Sequence, residues 1–373
     1  MQILFFGLTI SSSWGNGHAT PYRAILKALH AQGIRTIFYE RDVPYYAQHR
    51  DFDRCSYCDL IFYDNWKTIR RAAMQQAQGA DIVVTASYLP EGARISEDLL
   101  AVDGPLHVFY DLDTPITLNA LSKGGVEYLS SELIPQFDLY LSFTGGRILN
   151  RLEQDYGARM ARPLYGCVDP DIYRRVPSSA DFRCRLSYMG TYARDRWAKV
   201  QALFVAPASH FPADAFLLAG SMYPHEASWP ANVKRIEHVS PAQHPELYSS
   251  SDATLNLTRA EMAESGYCPS GRFFEAAACG APLLTDEWEG LDHFFDPAEE
   301  LTVVTTTDDV QRALRSGDAE LQRKAGRAHE RTLDEHTGSH RAQEFLRYCE
   351  EAARLKHQAE AARLKHQTLE ALS

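Results

Sequence analysis

Apolar residues fall into short blocks along the chain, separated by stretches in which they recur every three or four positions. The first block, Gln2-Ile-Leu-Phe-Phe-Gly7, leads into a Gly/Ser-rich loop, a helical pattern from Pro21 through Leu29 and a closing Gly33. A second block, Ile34-Arg-Thr-Ile-Phe-Tyr39, follows. Strand, loop, helix, strand is the opening unit of a parallel sheet. Further blocks at Asp81–Thr85, Leu106–Tyr110 and Asp138–Phe143 extend it. The pattern breaks at Pro163 to Ser179, rich in Pro, Asp and Arg, which reads as a linker. A second series then runs through Leu186–Met189, Ala215–Ala219, Val233–Glu237, Ala253–Leu257, Pro282–Thr285 and Leu301–Val304. The expectation is an α/β chain of two Rossmann-like, doubly wound domains facing a cleft, residues 1–165 and 166–337. A helical segment, 338–373, follows as a partly exposed tail. In such sheets ligands lie beyond the carboxyl ends of the strands.

The tail repeats itself: Glu351-Ala-Ala-Arg-Leu-Lys-His-Gln358 recurs as Glu360 to Gln367. A period of nine turns a helix by about half a circle, so Leu355 and Leu364 are expected on opposite sides. Two copies are too few for a solenoid.

A length of 373 residues with 45% hydrophobic and 23% charged positions supplies two ordinary cores. The net charge of −11 argues against a broad phosphate-backbone binder, so no nucleic-acid partner is expected. Residues 176–337 alone carry −9, so any anion there must be met locally. Seven dispersed cysteines, an odd number, fit reduced thiols and a cytoplasmic setting. Cys55 and Cys58 form one CxxC without a second pair at zinc-site spacing. Met1 to Ile10 lacks the basic start and cleavage site of a leader, and no run is long enough to span a membrane.

Four segments carry candidate chemistry. In Ser11-Ser-Ser-Trp-Gly-Asn-Gly-His-Ala-Thr-Pro21, Gly15, Asn16 and Gly17 can bring backbone close to an anion or a sugar. His18 can bind a hydroxyl or act as a base, and Pro21 suits the first helical position. The plainer alternative is a tight turn with a polar cap. Tyr110-Asp-Leu-Asp-Thr-Pro115 ends a strand with Asp111 and Asp113, either of which can take a proton, place a hydroxyl or merely cap a helix. Its Asp-x-Asp pattern is read as acceptor-side, and no metal ligand is assigned. Gly190, Thr191, Arg194 and Arg196 resemble a phosphate loop, or a turn with solvated arginines. In Ser265-Gly-Tyr-Cys-Pro-Ser-Gly-Arg-Phe-Phe-Glu275, free amides at Ser270, Gly271 and Arg272 open a helix, which is a diphosphate site, with Arg259 nearby. Glu275 can accept two hydroxyls of a ribose diol, or be a satisfied core carboxylate.

Phe273-Phe-Glu-Ala-Ala-Ala-Cys-Gly-Ala-Pro282 resembles the Phe-x-Glu-Ala-x-Ala-x-Gly-x-Pro pattern of GT-B glycosyltransferases of the group 1 type. Gly166-Cys-Val-Asp-Pro-Asp-Ile-Tyr173 is similar to their interdomain connection. Ser270-Gly-Arg-Phe-Phe-Glu275, Leu284-Thr-Asp286, Gly290-Leu-Asp-His-Phe-Phe295, Trp14-Gly-Asn-Gly-His-Ala-Thr20 and Ser142-Phe-Thr-Gly-Gly146 resemble the CgeB-like branch of spore-maturation glycosyltransferases. The loop Gly15-Asn-Gly-His18 is also similar to that of the peptidoglycan N-acetylglucosaminyl transferases. The likeness spans roughly residues 1–340.

It implies a GT-B fold, Glu275 on the donor ribose and the backbone of Ser270 to Arg272 on the diphosphate. His18 would face the transferred sugar or acceptor, and Glu237, His238 and Val239 the donor base. Tyr267 stands where the group 1 pattern has the first Glu of its E-x7-E motif, a donor-contact position. The phosphate contact stays open among Arg194, Arg196 and Arg259. The implied activity is a hexosyltransferase-type, metal-independent transfer from a UDP- or dTDP-type sugar to an unknown small-molecule, glycan or protein acceptor, with no resident cofactor. A sugar-nucleotide epimerase on the same fold, or a degenerate sugar-binding protein, is the alternative.

Overall fold

A computed structural model describes the chain from residue 1 to 371, and the backbone alone at positions 318, 363, 364, 366 and 368–371. Seven parallel strands make the first sheet: β1 (Gln2–Gly7), β2 (Arg35–Arg41), β3 (Asp59–Tyr63), β4 (Ile82–Ala86), β5 (Leu106–Asp111), β6 (Leu139–Ser142) and β7 (Ala161–Pro163). Their order is β3-β2-β1-β4-β5-β6-β7. Six more make the second: β8 (Leu186–Met189), β9 (Phe216–Ala219), β10 (Val233–Ile236), β11 (Thr254–Asn256), β12 (Leu283–Thr285) and β13 (Thr302–Val303), ordered β10-β9-β8-β11-β12-β13. Central strands such as β4 are buried on both faces, because helices cover both sides of a parallel sheet. That is why they read as unbroken apolar blocks. The sequence pattern did not mark β3 and β7. The first is a partly exposed edge strand, and the second is a three-residue edge strand ending in Pro163, a residue that only an edge tolerates well.

In each sheet the order reverses beside the first strand, between β1 and β4 and between β8 and β11. Crevices beyond the carboxyl ends of strands at such reversals are where doubly wound sheets take ligands. The loops after β1 and β8 therefore converge on a shared cleft. The lobes also touch directly: Thr144 Oγ1 donates to Cys268 Sγ (3.0 Å), Gly145 N to the Tyr267 carbonyl (3.0 Å) and Asn119 Nδ2 to Glu261 Oε1 (3.0 Å).

The helix Gly338–Ala371 returns to the first lobe, where Ala342, Phe345, Tyr348, Cys349 and Ala352 join the core around Phe5, Tyr22 and Ile25. Gly338 permits this approach, since a Cβ there would lie 2.4 Å from the Ala24 carbonyl oxygen. Lys356 Nζ closes the contact on Asp138 (3.0 Å) and the Pro105 carbonyl (2.8 Å). The first half of this segment is thus part of the first-lobe core. Leu355 is 48% exposed, and the side chain of Leu364 lies outside the described residues.

Candidate active site

The cleft has a volume of about 390 Å³ and is lined by both lobes. Its first wall begins with the loop after β1. Glu40, buried at the end of β2, accepts hydrogen bonds from Thr9 Oγ1 (2.7 Å), Ile10 N (2.8 Å), Ser11 N (3.0 Å) and Ser11 Oγ (2.5 Å). Asn16 Nδ2 donates to the carbonyls of Thr9 and Ser12, both at 3.2 Å, and its Oδ1 accepts from His18 N (3.0 Å). Asn16 thus holds the loop's shape, while Gly15 and Gly17 present open backbone to the cleft. The helix starts at Ala19 with His18 as its N-cap residue, so Pro21 is its third residue rather than its first.

His18 and Asp113 meet in this wall. His18 Nε2 lies 3.4 Å from Asp113 Oδ2, and Tyr88 OH donates to the same oxygen (2.9 Å). His18 Nδ1 is buried without a partner. Asp113 occupies the N-cap of the helix Thr114–Leu121, yet its side chain makes no capping bond. Its carboxylate is turned to the histidine instead. This orientation engages one ring nitrogen and leaves the other buried without a partner.

Asp111 is corrected. It is fully buried and accepts from Tyr140 OH (2.7 Å), Thr117 Oγ1 (2.9 Å) and Asp113 N (3.1 Å). Burial pushes its pKa up to about 6, against those hydrogen bonds. It holds the Asp113 turn from beneath and does not line the cleft.

The second wall starts at Gly190. A Cβ on Gly220 would lie 2.0 Å from the Gly190 carbonyl oxygen, so the two backbones cross as only glycine allows. Thr191 lines the cleft, and its carbonyl accepts from Arg196 Nη2 (2.5 Å), while Arg196 Nε is buried without a partner. Arg194 is corrected: it is exposed and off the cleft, because two residues along a helix turn a side chain by about 200°. Arg259 lines the cleft with its Nε 3.4 Å from Asp195 Oδ2. Behind it, buried Asp286 accepts from Thr258 N (3.0 Å), Thr258 Oγ1 (3.1 Å) and Lys199 Nζ (2.6 Å), fixing the loop after β11.

The helix Gly271–Ala278 opens on this wall with Ser270 as N-cap, and the serine hydroxyl makes no capping bond. The first amides of a helix have no intrahelical acceptor, and the dipole there favours an anion. Arg272, beside them, has no ion-pair or hydrogen-bond partner among the described residues. Glu275, one turn on, is 4% exposed, and its Oε2 lies 3.3 Å from His244 Nδ1. Burial pushes its pKa up, but His244, Arg272 and Thr20 outweigh burial and hold it below the usual carboxylate range. His244 Nε2 donates to the Val239 carbonyl (3.1 Å), and Tyr173 OH stands 3.5 Å from Nδ1 and 3.3 Å from Thr20 Oγ1. A polar chain thus runs from the first helix through the linker to Glu275.

His238 and Val239 line the cleft, and the Trp14 ring packs 4.2 Å from His238 and 4.2 Å from His49. Burial and the neighbouring His244 and His49 lower the His238 pKa. Tyr267 is corrected. At φ +48° its ring lies against the backbones of Gly146 and Gly290, and it seals the lobes together without lining the cleft. Glu40, Tyr88, Tyr173 and His244 were not singled out from sequence. Only Glu40, at the end of a marked strand, carried a positional hint.

Residues 194–347 match a family model described as glycosyl transferase-like. No curated protein sequence matches the chain. Sucrose-phosphate synthase from Thermosynechococcus elongatus superposes with a TM-score of 0.64 at 13% identity, covering 97% of this chain and 100% of that one. Anabaena HepE, in complex with UDP and glucose, gives 0.63 at 12%, covering 93% and 98%. The fold is GT-B. An alpha-glucosyltransferase in complex with UDP-glucose and DNA containing an abasic site gives 0.71 at 12%, covering 94% and 99%.

That last structure overturns the expectation that excluded a nucleic-acid partner. A chain of this fold holds DNA, and a whole-chain charge of −11 says nothing about one face. Among the described residues, no group of three or more His, Cys, Asp or Glu is placed to hold a metal ion, and no helix is long and apolar enough to cross a membrane.

Proposed function

We propose that this chain is a cytoplasmic glycosyltransferase of the hexosyltransferase type, in the CgeB-like branch. It moves a sugar from a UDP- or dTDP-type donor to an acceptor hydroxyl. One observation carries the reading: an uncapped helix start, the unpartnered Arg272 and the anionic Glu275 share one wall of a cleft whose other wall holds the His18–Asp113 pair. The matched structures with UDP or UDP-glucose support the same donor class.

In this reading the ribose diol donates to Glu275. The diphosphate lies on the amides of Gly271 and Arg272, with the guanidinium groups of Arg272 and Arg196 beside it. Charge grows on the leaving diphosphate as the sugar departs, and oriented amides and guanidinium groups stabilise it without rearranging. These residues supply cationic and N–H donors rather than a carboxylate cage, which supports metal-independent transfer. Glu237, His238 and Val239 face the base. His18, oriented by Asp113, receives the hydrogen bond of the attacking hydroxyl. Residues 1–165 form the acceptor side and 166–337 the donor side, and within 338–373 the helix Gly338–Ala371 braces the first lobe.

The test incubates the full chain with UDP-glucose or dTDP-glucose, alone and with sugars, oligosaccharides or DNA, and reads nucleotide release and product mass. The expected result is nucleotide release with a hexose added to one acceptor. An isomerised donor formed without acceptor would instead establish an epimerase. Tight donor binding with no turnover on any acceptor would establish a binding protein.

A further inference from the structure

Strand β4 ends at Ala86 and β5 at Asp111, and the turns that follow them are stitched together. Ser87 N donates to the Tyr110 carbonyl (3.1 Å), and Leu112 N donates to Ser87 Oγ (3.0 Å). Tyr88, next along the first turn, has a φ of +63°. A bulky residue in that left-handed region is an outlier, kept only where its surroundings over-determine it, as they do at functional sites. Here the surroundings are aromatic. The Tyr88 ring lies 5.3 Å from that of His18 and 5.2 Å from that of Tyr128, whose hydroxyl is in turn 2.8 Å from Thr117 Oγ1. Tyr88 does not line the cleft, and its hydroxyl donates to Asp113 Oδ2 at 2.9 Å. Burial, with Asp113 beside it, pushes the pKa of that hydroxyl up, so it keeps its proton and donates.

The Asp113 carboxylate has two competing uses. Asp113 is the N-cap residue of Thr114–Leu121, where an aspartate ordinarily accepts from the second or third amide of the helix. The second helical residue, Pro115, has no N–H, so Ile116 N is the remaining cap donor of the two. Asp113 leaves that amide without a side-chain cap and turns Oδ2 to Tyr88 OH and, at 3.4 Å, to His18 Nε2. The backbone does not impose this choice. Asp113 N is held by Asp111 Oδ1 (3.1 Å) and the Asp113 carbonyl by Thr117 N (3.0 Å), contacts that leave the side chain free to serve either partner.

We propose that Tyr88 is a positioning residue of this site: its hydroxyl draws the Asp113 carboxylate off the helix start and holds it on His18. The proposal rests on the reading of His18 and Asp113 as the pair that meets the acceptor hydroxyl. Without the Tyr88 hydroxyl, Asp113 swings to cap Ile116 N, and His18 loses the carboxylate that orients its ring. The new cap offsets the lost hydrogen bond, so the fold holds while the pair comes apart.

Y88F tests this, since it keeps the ring and its packing and removes only the hydroxyl. The full chain is labelled with 15N-histidine, and the imidazole signals are read by NMR, with His18 assigned from H18Q. Y88F should move the His18 signals and leave those of His244 in place, and Y88F/D113N should reproduce D113N alone. Activity is then read with UDP-glucose and the acceptor identified among sugars, oligosaccharides and DNA. Y88F should lower kcat by about 10-fold, the order of one hydrogen bond to a charged group, and leave KM for the donor within about two-fold. In the D113N background it should cost nothing further. His18 signals that stay in place in Y88F overturn the proposal, and so does a Y88F loss of equal size in the wild-type and D113N backgrounds. If Y88F moves the His18 signals while the wild type transfers sugar to no acceptor, the hold of Tyr88 on Asp113 stands and the transferase reading falls.

Discussion

Among its described lining residues, the first-lobe wall of the cleft has no Lys or Arg, and presents Trp14, His18, Tyr45 and Asp113. The second-lobe wall presents Arg196, Arg259 and Arg272, although its own region of sequence carries −9. The acidic chain has gathered its cleft cations on one side. Helix starts vary over the molecule, and many away from the cleft have no side-chain cap either, Glu91 and Gly290 among their N-cap residues. Away from the cleft, Asn65 caps its helix, and Thr306 and Asp309 form a full capping box. At the cleft, His18, Asp113 and Ser270 occupy N-cap positions and make no side-chain cap. A capped helix start has its amides satisfied from within the chain. An uncapped one facing a cleft leaves them for a ligand. In the proposed reading, the arginines assign the anion to the second wall, and the His18–Asp113 pair assigns a neutral hydroxyl to the first.

The division breaks hardest on the first wall. Asp113→Asn or His18→Gln should lower kcat by about 10²–10⁴-fold, the usual range for a group that handles the reacting proton, and leave donor affinity within about two-fold. Equal losses in kcat and donor affinity would merge the two walls. On the second wall, Arg272→Ala should weaken donor binding by about 10–100-fold, as expected for losing charge-assisted hydrogen bonds. Arg259→Ala should weaken it less, since that guanidinium is already shared with Asp195. Isothermal titration with UDP separates these effects.

Asp111 gives a pH test of the first wall's support. Its proton is held more tightly in the folded chain, at about 6, than at its ordinary 3.8. The stability this confers is complete below about pH 4 and is lost as pH rises through about 6. Asp111→Asn does not titrate, so its stability relative to wild type should rise between pH 4 and pH 7, by on the order of 1–3 kcal/mol. A difference that stays flat across that range would show that Asp111 is not a raised carboxyl. Smallest of all, Thr306→Ala should cost about 1 kcal/mol in denaturant unfolding. Ser270→Ala should cost only a few tenths, because its hydroxyl caps nothing.

The sequence pattern located both central sheets and the two cleft loops, because parallel strands buried on both faces are continuous apolar runs. It could not separate Asp111 from Asp113. Two carboxylates two positions apart look alike in a sequence, and only the packing of Tyr140 and Thr117 decides which is enclosed. Arg194 and Arg196 differ by helical phase, which a loosely marked helix start does not set. Tyr267 was placed by motif alignment, whereas its left-handed backbone and the glycines at 146 and 290 turn it to the lobe contact. Tyr88 and His244 act across the tertiary fold and have no local signature, and Glu40 has only its place at the end of a marked strand.

The most direct test is the thermal unfolding of wild type and Arg272→Ala with UDP, dTDP or uridine. A ligand that binds the native state raises its melting temperature. UDP or dTDP should raise that of the wild type and do so much less for Arg272→Ala, and uridine should leave both unchanged. A wild type that no nucleoside diphosphate stabilises would contradict the assignment of the second wall.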